Sequence, residues 1–125
     1  MYEYAARIVR VIDGDTLVAD VDLGFHVTVR ETFRLTGIDT PEIHGVKKNS
    51  EEYRRGMETK KFVEKLLELT DWRVMLLTKK DEQGKYGRWL AEVLPMLEEG
   101  GVHPWTSSSL NETLVREGLA VLKEY

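Results

Sequence analysis

The chain contains no cysteine, so no disulfide staples it and no thiolate is available to hold a metal. It has no run of uncharged apolar residues near the roughly 18 that a membrane-crossing helix needs. Its opening, Met1-Tyr2-Glu3-Tyr4-Ala5-Ala6-Arg7, lacks the basic-then-apolar layout of a secretory signal. As it stands it reads as a cytoplasmic protein without a membrane partner, or as a secreted one if a signal was removed. Excess positive charge is also missing, since 18 Lys and Arg face 22 Asp and Glu for a net charge of −4. That balance argues against a protein that grips nucleic acid by general electrostatics. An acidic chain remains compatible with a polyanionic substrate when carboxylates gather around a divalent cation, because the ion reverses the local field.

What is present suits one modest core. With 125 residues, 42% hydrophobic and 32% charged, the chain is read as a single domain over residues 1–125, and as a monomer. Val, Ile, Leu, Phe and Thr cluster or alternate over Arg7 to Ile12, Thr16 to Val21 and Phe25 to Leu35, punctuated by Asp13-Gly14 and Leu23-Gly24. This pattern predicts three consecutive antiparallel strands. Asn49-Ser50-Glu51-Glu52 offers a capping box, and apolar residues then recur at helical spacing until Thr70-Asp71. Trp72 to Thr78 and Arg88 to Leu94 are strand-length runs about the polar turn Lys79 to Gly87, which predicts a hairpin. A second capping box, Ser109-Leu110-Asn111-Glu112, opens a short helix that Gly118 should stop, and Leu119 to Leu122 closes the chain. The expected fold is α+β, mainly β, with a sheet able to close into a five-stranded oligonucleotide-binding (OB) barrel with two to three helices.

The chemistry concentrates where these strands end. Asp13 and Asp15 flank a glycine at the first hairpin, and Asp39, Thr40 and Glu42 follow the third strand. Hard cations such as calcium favour this oxygen set, with carboxylates supplemented by carbonyl and water. Either segment alone reads equally as turn chemistry, Asp-Gly being a favoured hairpin turn and Thr-Pro a routine strand terminator. Arg34 and Arg88 each sit at a strand run. They are either surface residues or, facing one cation site, a clamp whose planar guanidinium groups follow phosphate charge into the transition state.

The chain resembles the staphylococcal nuclease, or thermonuclease, family. The resemblance rests on Val11-Ile12-Asp13-Gly14-Asp15-Thr16, on Phe33-Arg34-Leu35 with Asp39-Thr40-Pro41-Glu42, on Lys85-Tyr86-Gly87-Arg88 with Leu90-Ala91, and on Asn111-Glu112 through Leu114 to Ala120. It implies a five-stranded OB barrel and a calcium-dependent endonuclease acting on DNA and RNA, leaving 3′-phosphate and 5′-hydroxyl ends. It also implies Asp15 and Asp39 as metal ligands, Thr40 as a ligand through its carbonyl, and Asp13 and Glu42 near the ion through water. Glu42 would be the general base, Arg34 and Arg88 would hold the scissile phosphate, and Lys85 and Tyr86 would contact a neighbouring phosphate.

There are departures from the family pattern. Gly84 stands where an acidic residue often precedes Lys-Tyr-Gly-Arg, and the chain stops at Tyr125, short of the prototype's C-terminal helix and paired tyrosines. The segment Pro95 to Ser108 is longer than the prototype's turn, and its Trp105 reads as a cover for the barrel end or a platform for a base. His44 is close to Glu42 in sequence, but calcium prefers oxygen. The doublets Lys47-Lys48, Arg54-Arg55, Lys60-Lys61 and Lys79-Lys80 either guide a polyanion or form solvated faces. The leading function is therefore a metal-dependent phosphodiesterase, with a non-catalytic OB module that binds nucleic acid or protein as the alternative.

Overall fold

The computed structural model describes residues 2–80, 88–96 and 109–123. Five strands, β1 (Tyr2–Asp13), β2 (Thr16–Asp22), β3 (Thr28–Leu35), β5 (Arg73–Lys80) and β6 (Trp89–Pro95), close a barrel in the order β1-β2-β3-β6-β5. All neighbours run antiparallel except β3 and β6, which are parallel. Between β3 and β5 the chain forms the two-residue β4 (Ile38–Asp39) and the helix α1 (Glu51–Glu68), and after β6 come α2 (Leu110–Arg116) and β7 (Val121–Leu122). β4 and β7 pair antiparallel as a small second sheet. The expected α+β, mainly β, OB-type barrel is thus borne out, with two helices among the described residues.

Period-two alternation drives the closure. Leu17, Ala19 and Val21 of β2, Phe33 and Leu35 of β3, Val74 and Leu76 of β5, and Ala91 and Val93 of β6 all enter one buried cluster. On β1 the inward residues are Ala6, Ile8 and Val11, and the odd step from Ile8 to Val11 is absorbed by a register shift between Ile8 and Arg10. A second irregularity between Val11 and Asp13 bends the strand just before the first turn, the placement usual for bulges beside functional sites. Helix α1 buries Gly56, Thr59, Val63 and Leu67, one stripe at helical spacing, while Leu110 and Leu114 of α2 complete the core.

Local chemistry corrects several expected bounds. β1 begins at Tyr2 rather than Arg7, because Tyr2 to Arg7 pair with Thr78 to Arg73 of β5. β3 begins at Thr28 rather than Phe25, since Gly24, Phe25 and His26 have φ of 83°, 54° and 63° and form the hairpin turn instead. The first cap is Ser50 alone. Its Oγ accepts the Tyr53 N–H at 3.2 Å, and the Glu52 carboxylate, expected in the box, is used elsewhere. The second cap follows the expected pattern, with Ser109 Oγ accepting the Glu112 N–H at 3.1 Å and Gly118 at φ 75° beyond the helix end. The strand closing the described chain is Val121–Leu122, shorter than Leu119 to Leu122. The turn residues 81–87, the segment 97–108 with Trp105, and Tyr125 lie outside the described residues.

Candidate active site

The site begins at the turn between β1 and β2. Asp13 Oδ1 accepts the Asp15 N–H at 3.2 Å, closing the turn on itself. A Cβ on Gly14 would lie 2.5 Å from Thr59 Cγ2 and 3.1 Å from Thr40 Oγ1, so this turn is pressed against both α1 and the segment after β4. Asp15 is turned inward and only 3% exposed. Its Oδ1 accepts from Thr16 Oγ1 at 3.1 Å and its Oδ2 from the Thr40 N–H at 3.2 Å. Its carbonyl accepts the Leu35 N–H at 2.8 Å, which fastens the turn to the end of β3. Arg34 stands beside that bond. Its Nη2 lies 3.2 Å from Asp15 Oδ2 and 2.8 Å from Asp39 Oδ1, and donates to the Ile38 carbonyl at 3.4 Å.

Two devices hold the segment from Asp39 onward. On one side β7 pairs Val121 with Asp39, and the Lys123 N–H donates to the Gly37 carbonyl at 2.8 Å. Lys123 Nζ is 3.9 Å from Asp39 Oδ2. On the other side α1 offers Gly56, where a Cβ would come within 2.7 Å of the Pro41 carbonyl oxygen and 3.1 Å of the Glu42 carbonyl oxygen. Glu52 Oε2 accepts the Glu42 N–H at 3.2 Å, and His44 Nε2 is 3.5 Å from the Ile12 carbonyl. Glu42 therefore has an anchored backbone and an exposed side chain whose carboxylate makes no hydrogen bond or ion pair among the described residues. A groove of ≈ 740 Å³ runs between Asp39 to Pro41, the face of α1 carrying Glu52, Arg55 and Thr59, and Gly118 to Val121.

The electrostatics favour an added cation. Burial, then a hydrogen bond and repulsion from the facing Asp13 carboxylate, push the Asp15 carboxyl up to about 6, against the opposing pull of Arg34 and the Thr40 N–H. Three aspartates share this corner with the Arg34 guanidinium, and every side-chain donor they offer is oxygen, so the set fits a hard cation. No three or more Asp, Glu or His side chains among the described residues are gathered closely enough to hold an ion by themselves. A bound ion would thus depend on carbonyl oxygen and water beside Asp15 and Asp39, the mixed set calcium accepts.

The structure brings Asp13, Asp15, Arg34, Asp39 and Thr40 together and places Glu42 on the same anchored segment. Thr40 meets Asp15 through its backbone N–H, so the carbonyl expected as a ligand belongs to a residue already fixed there. Arg88 lies two residues before Leu90, the register partner of Arg34, and its Nε is buried with no hydrogen bond among the described residues. Lys85 and Tyr86 lie outside the described residues. Sequence reasoning missed Gly56 and Glu52, and the signal for Gly56 was a glycine inside a helix, where it costs about 1 kcal/mol unless packing requires it. It also left Asn111 without a role. Asn111 Oδ1 accepts the Val93 N–H at 3.1 Å, and its Nδ2 donates to the Thr36 and Ala91 carbonyls at 2.9 and 3.1 Å, binding α2 to the strands behind Arg34.

The fold and this corner define the class: a closed OB-type barrel with one buried and two half-buried aspartates around an arginine where the strands end. Residues 32–125 match the family described as Staphylococcal nuclease homologue, and the chain belongs to that family. It is 36% identical over 124 residues to a thermonuclease of Staphylococcus hyicus, and 38% identical over 117 residues to a thermonuclease of Staphylococcus intermedius. These alignments cover 98% and 93% of this chain but 62% and 58% of the relatives, so the chain spans about three fifths of their length. It is also 30% identical over 105 residues to an uncharacterized protein of Methanocaldococcus jannaschii, covering 72% of this chain and 48% of that one. The resemblance drawn from the motifs is thereby established at the level of the family.

Proposed function

We propose that this protein is a calcium-dependent endonuclease that hydrolyses phosphodiester bonds of DNA and RNA to 3′-phosphate and 5′-hydroxyl ends. The observation that carries the reading is the Arg34 guanidinium held between Asp15 and Asp39, on three segments that converge where β3 ends. Asp15, Asp39 and the Thr40 carbonyl would hold the cation, with Asp13 and Glu42 reaching it through water. When bound, such a cation acidifies water and offsets phosphate charge.

The chain's own residues supply the remainder. Glu42, exposed and free of side-chain partners among the described residues, accepts a proton from the attacking water. An ordinary glutamate has a pKa of about 4.3, far below that of water, so Glu42 orients the nucleophile as much as it deprotonates it. Arg34 and Arg88 donate to the non-bridging phosphoryl oxygens, where negative charge builds. The water oxygen bonds to phosphorus, the bond to the 5′ oxygen breaks, and that oxygen takes a proton from solvent water to leave as the 5′-hydroxyl. Lys85 and Tyr86 contact the next phosphate.

The test is cleavage of single-stranded DNA and RNA with calcium, with chelator, and with Glu42→Gln and Arg34→Ala. Calcium-dependent cutting to 3′-phosphate ends, reduced at least a hundredfold by each change, is expected, since single charge-stabilising groups are worth about 10²–10³. A folded protein that shifts an oligonucleotide yet cuts nothing with any divalent ion would sink the nuclease reading and leave a binding module.

A further inference from the structure

On the outer face of the barrel, away from the corner described above, a groove of ≈ 730 Å³ lies between the start of β5 and the tip of the β2–β3 hairpin, lined by Arg7, Arg73, Asp20, Asp22 and Phe25. Strand alternation sets its floor. Ala6 and Ile8, Val74 and Leu76, and Ala19 and Val21 enter the core, so Arg7, Arg73 and Asp20, of the opposite parity, point outward. Arg7 is in register with Arg73 on one side and with Asp20 on the other, and Asp20 with Arg30, which makes one row across four strands.

The charges of that row are unevenly matched. Arg30 takes both Asp20 oxygens, at 2.7 and 3.1 Å, and Asp22 Oδ1 accepts the Gly24 N–H at 2.8 Å. Arg7 has Asp71, 3.4 Å away and exposed, an ion pair that water weakens. The Arg73 guanidinium makes no hydrogen bond or ion pair among the described residues, and its Nε is buried. Like charges directly opposed on paired strands repel, and a buried donor without an acceptor is costly. An anion seated between the two arginines removes both costs, and a phosphate suits their planar donor forks. At the hairpin end Phe25 is 98% exposed and held at φ 54°, where a bulky residue is strained. An open ring beside phosphate donors matches a nucleotide, whose base offers a face for stacking. The groove shares its sheet face with the cleavage corner, since Arg30 and Arg34 both point outward from β3, four residues or about 14 Å apart.

We propose that this groove is a second binding site for the nucleic-acid strand, in which Arg7 and Arg73 hold one phosphate several nucleotides from the scissile bond and Phe25 stacks on an adjoining base. The strand as occupant rests on the nuclease reading, whereas the phosphate site itself does not require cleavage.

The experiment measures binding of a fluorescent single-stranded dinucleotide and dodecanucleotide by anisotropy over a salt series, on a Glu42→Gln background. Arg7→Gln combined with Arg73→Gln is expected to weaken the dodecanucleotide roughly 10-fold and to lower its salt slope by about 0.7, the value for one phosphate contact on a single strand. Phe25→Ala should weaken it about 5-fold or more and leave the slope unchanged. Dinucleotide binding should be the same in all proteins, because it does not reach the groove. Relief of the Arg7–Arg73 repulsion should leave the unfolding midpoint of the double variant unchanged or higher, and the exposure of Phe25 lets the fold survive its truncation. An unchanged slope in the double variant, full affinity in Phe25→Ala, equal weakening of both oligonucleotides, or an unmodified groove that does not bind the dodecanucleotide overturns the proposal. If the protein without Glu42→Gln cuts nothing with any divalent ion while the length-dependent pattern persists, the nuclease reading falls and the groove stands.

Discussion

Replacing Asp15 with asparagine is expected to stabilise the cation-free protein while removing its capacity for a divalent ion. Burial and the facing Asp13 carboxylate raise the Asp15 carboxyl from its usual 3.8 to about 6. At about 1.4 kcal/mol per tenfold, holding Asp15 ionised in the folded state near pH 7 costs about 3 kcal/mol. Asparagine keeps the shape, and its Oδ1 can accept the Thr40 N–H that Asp15 now receives at 3.2 Å while its Nδ2 donates to Asp13. The raised value is already net of the attraction to Arg34, 3.2 Å from Asp15 Oδ2, and the amide's less favourable fit at the oxygen that now accepts from Thr16 Oγ1 offsets part of the gain. A net stabilisation of about 1–3 kcal/mol remains, up to about 10 °C in Tm for a domain of this size.

The pH dependence gives the sharper check. A raised folded-state pKa means that the folded protein holds the proton more tightly than the unfolded chain. Asp15 therefore costs nothing below about pH 4, its cost grows between about pH 4 and 6, and it is constant above. Urea unfolding in chelator at a series of pH values should show the variant pulling ahead of the unmodified protein across that window and holding its lead above it. Added calcium should then stabilise only the unmodified protein. A variant less stable at pH 7, or a difference independent of pH, would refute the reasoning.

Two further substitutions test how the site is supported. Gly56→Ala gains about 1 kcal/mol of helix propensity, but its Cβ meets the Pro41 carbonyl at 2.7 Å and overpacking costs about 1–3 kcal/mol, so stability should be unchanged or lower. Because the displaced backbone is that of Pro41 and Glu42, cleavage should fall more than stability does, and a gain in Tm with full activity would contradict the packing described. Asn111→Ala strips partners from the Val93 N–H and the Thr36 carbonyl and should cost about 2–4 kcal/mol in denaturant unfolding, whereas a loss under 1 kcal/mol would mean water replaces the amide.

What the sequence revealed follows the range of the forces involved. Ser109 and Gly118 mark α2 because capping is decided within a few residues. Gly24 is legible as a turn residue, but Phe25 and His26 after it read as strand because Phe and Val favour strands, whereas their left-handed φ is imposed by hairpin closure, including the Leu23 N–H to Val27 carbonyl bond at 2.9 Å. Among the site residues, Asp15, Arg34, Asp39 and Thr40 were legible as motifs, and the structure joins them. Gly56 and Asn111 were not, since their reasons lie in Pro41 and Val93, distant along the chain.

The pairing of β4 with β7 also sets an order of events. Ile38 and Asp39 find their partners in Leu122 and Val121, the longest loop closed by any strand pair described here. On a growing chain β1, β2 and β3 emerge long before that partner, so Asp39 is fastened last and the site is assembled only after the barrel that carries it. A chain ended at Ala120 should accordingly keep the far-ultraviolet signal of the barrel but exchange the Asp39 amide freely, and undiminished protection there would show that β7 is not what fastens it.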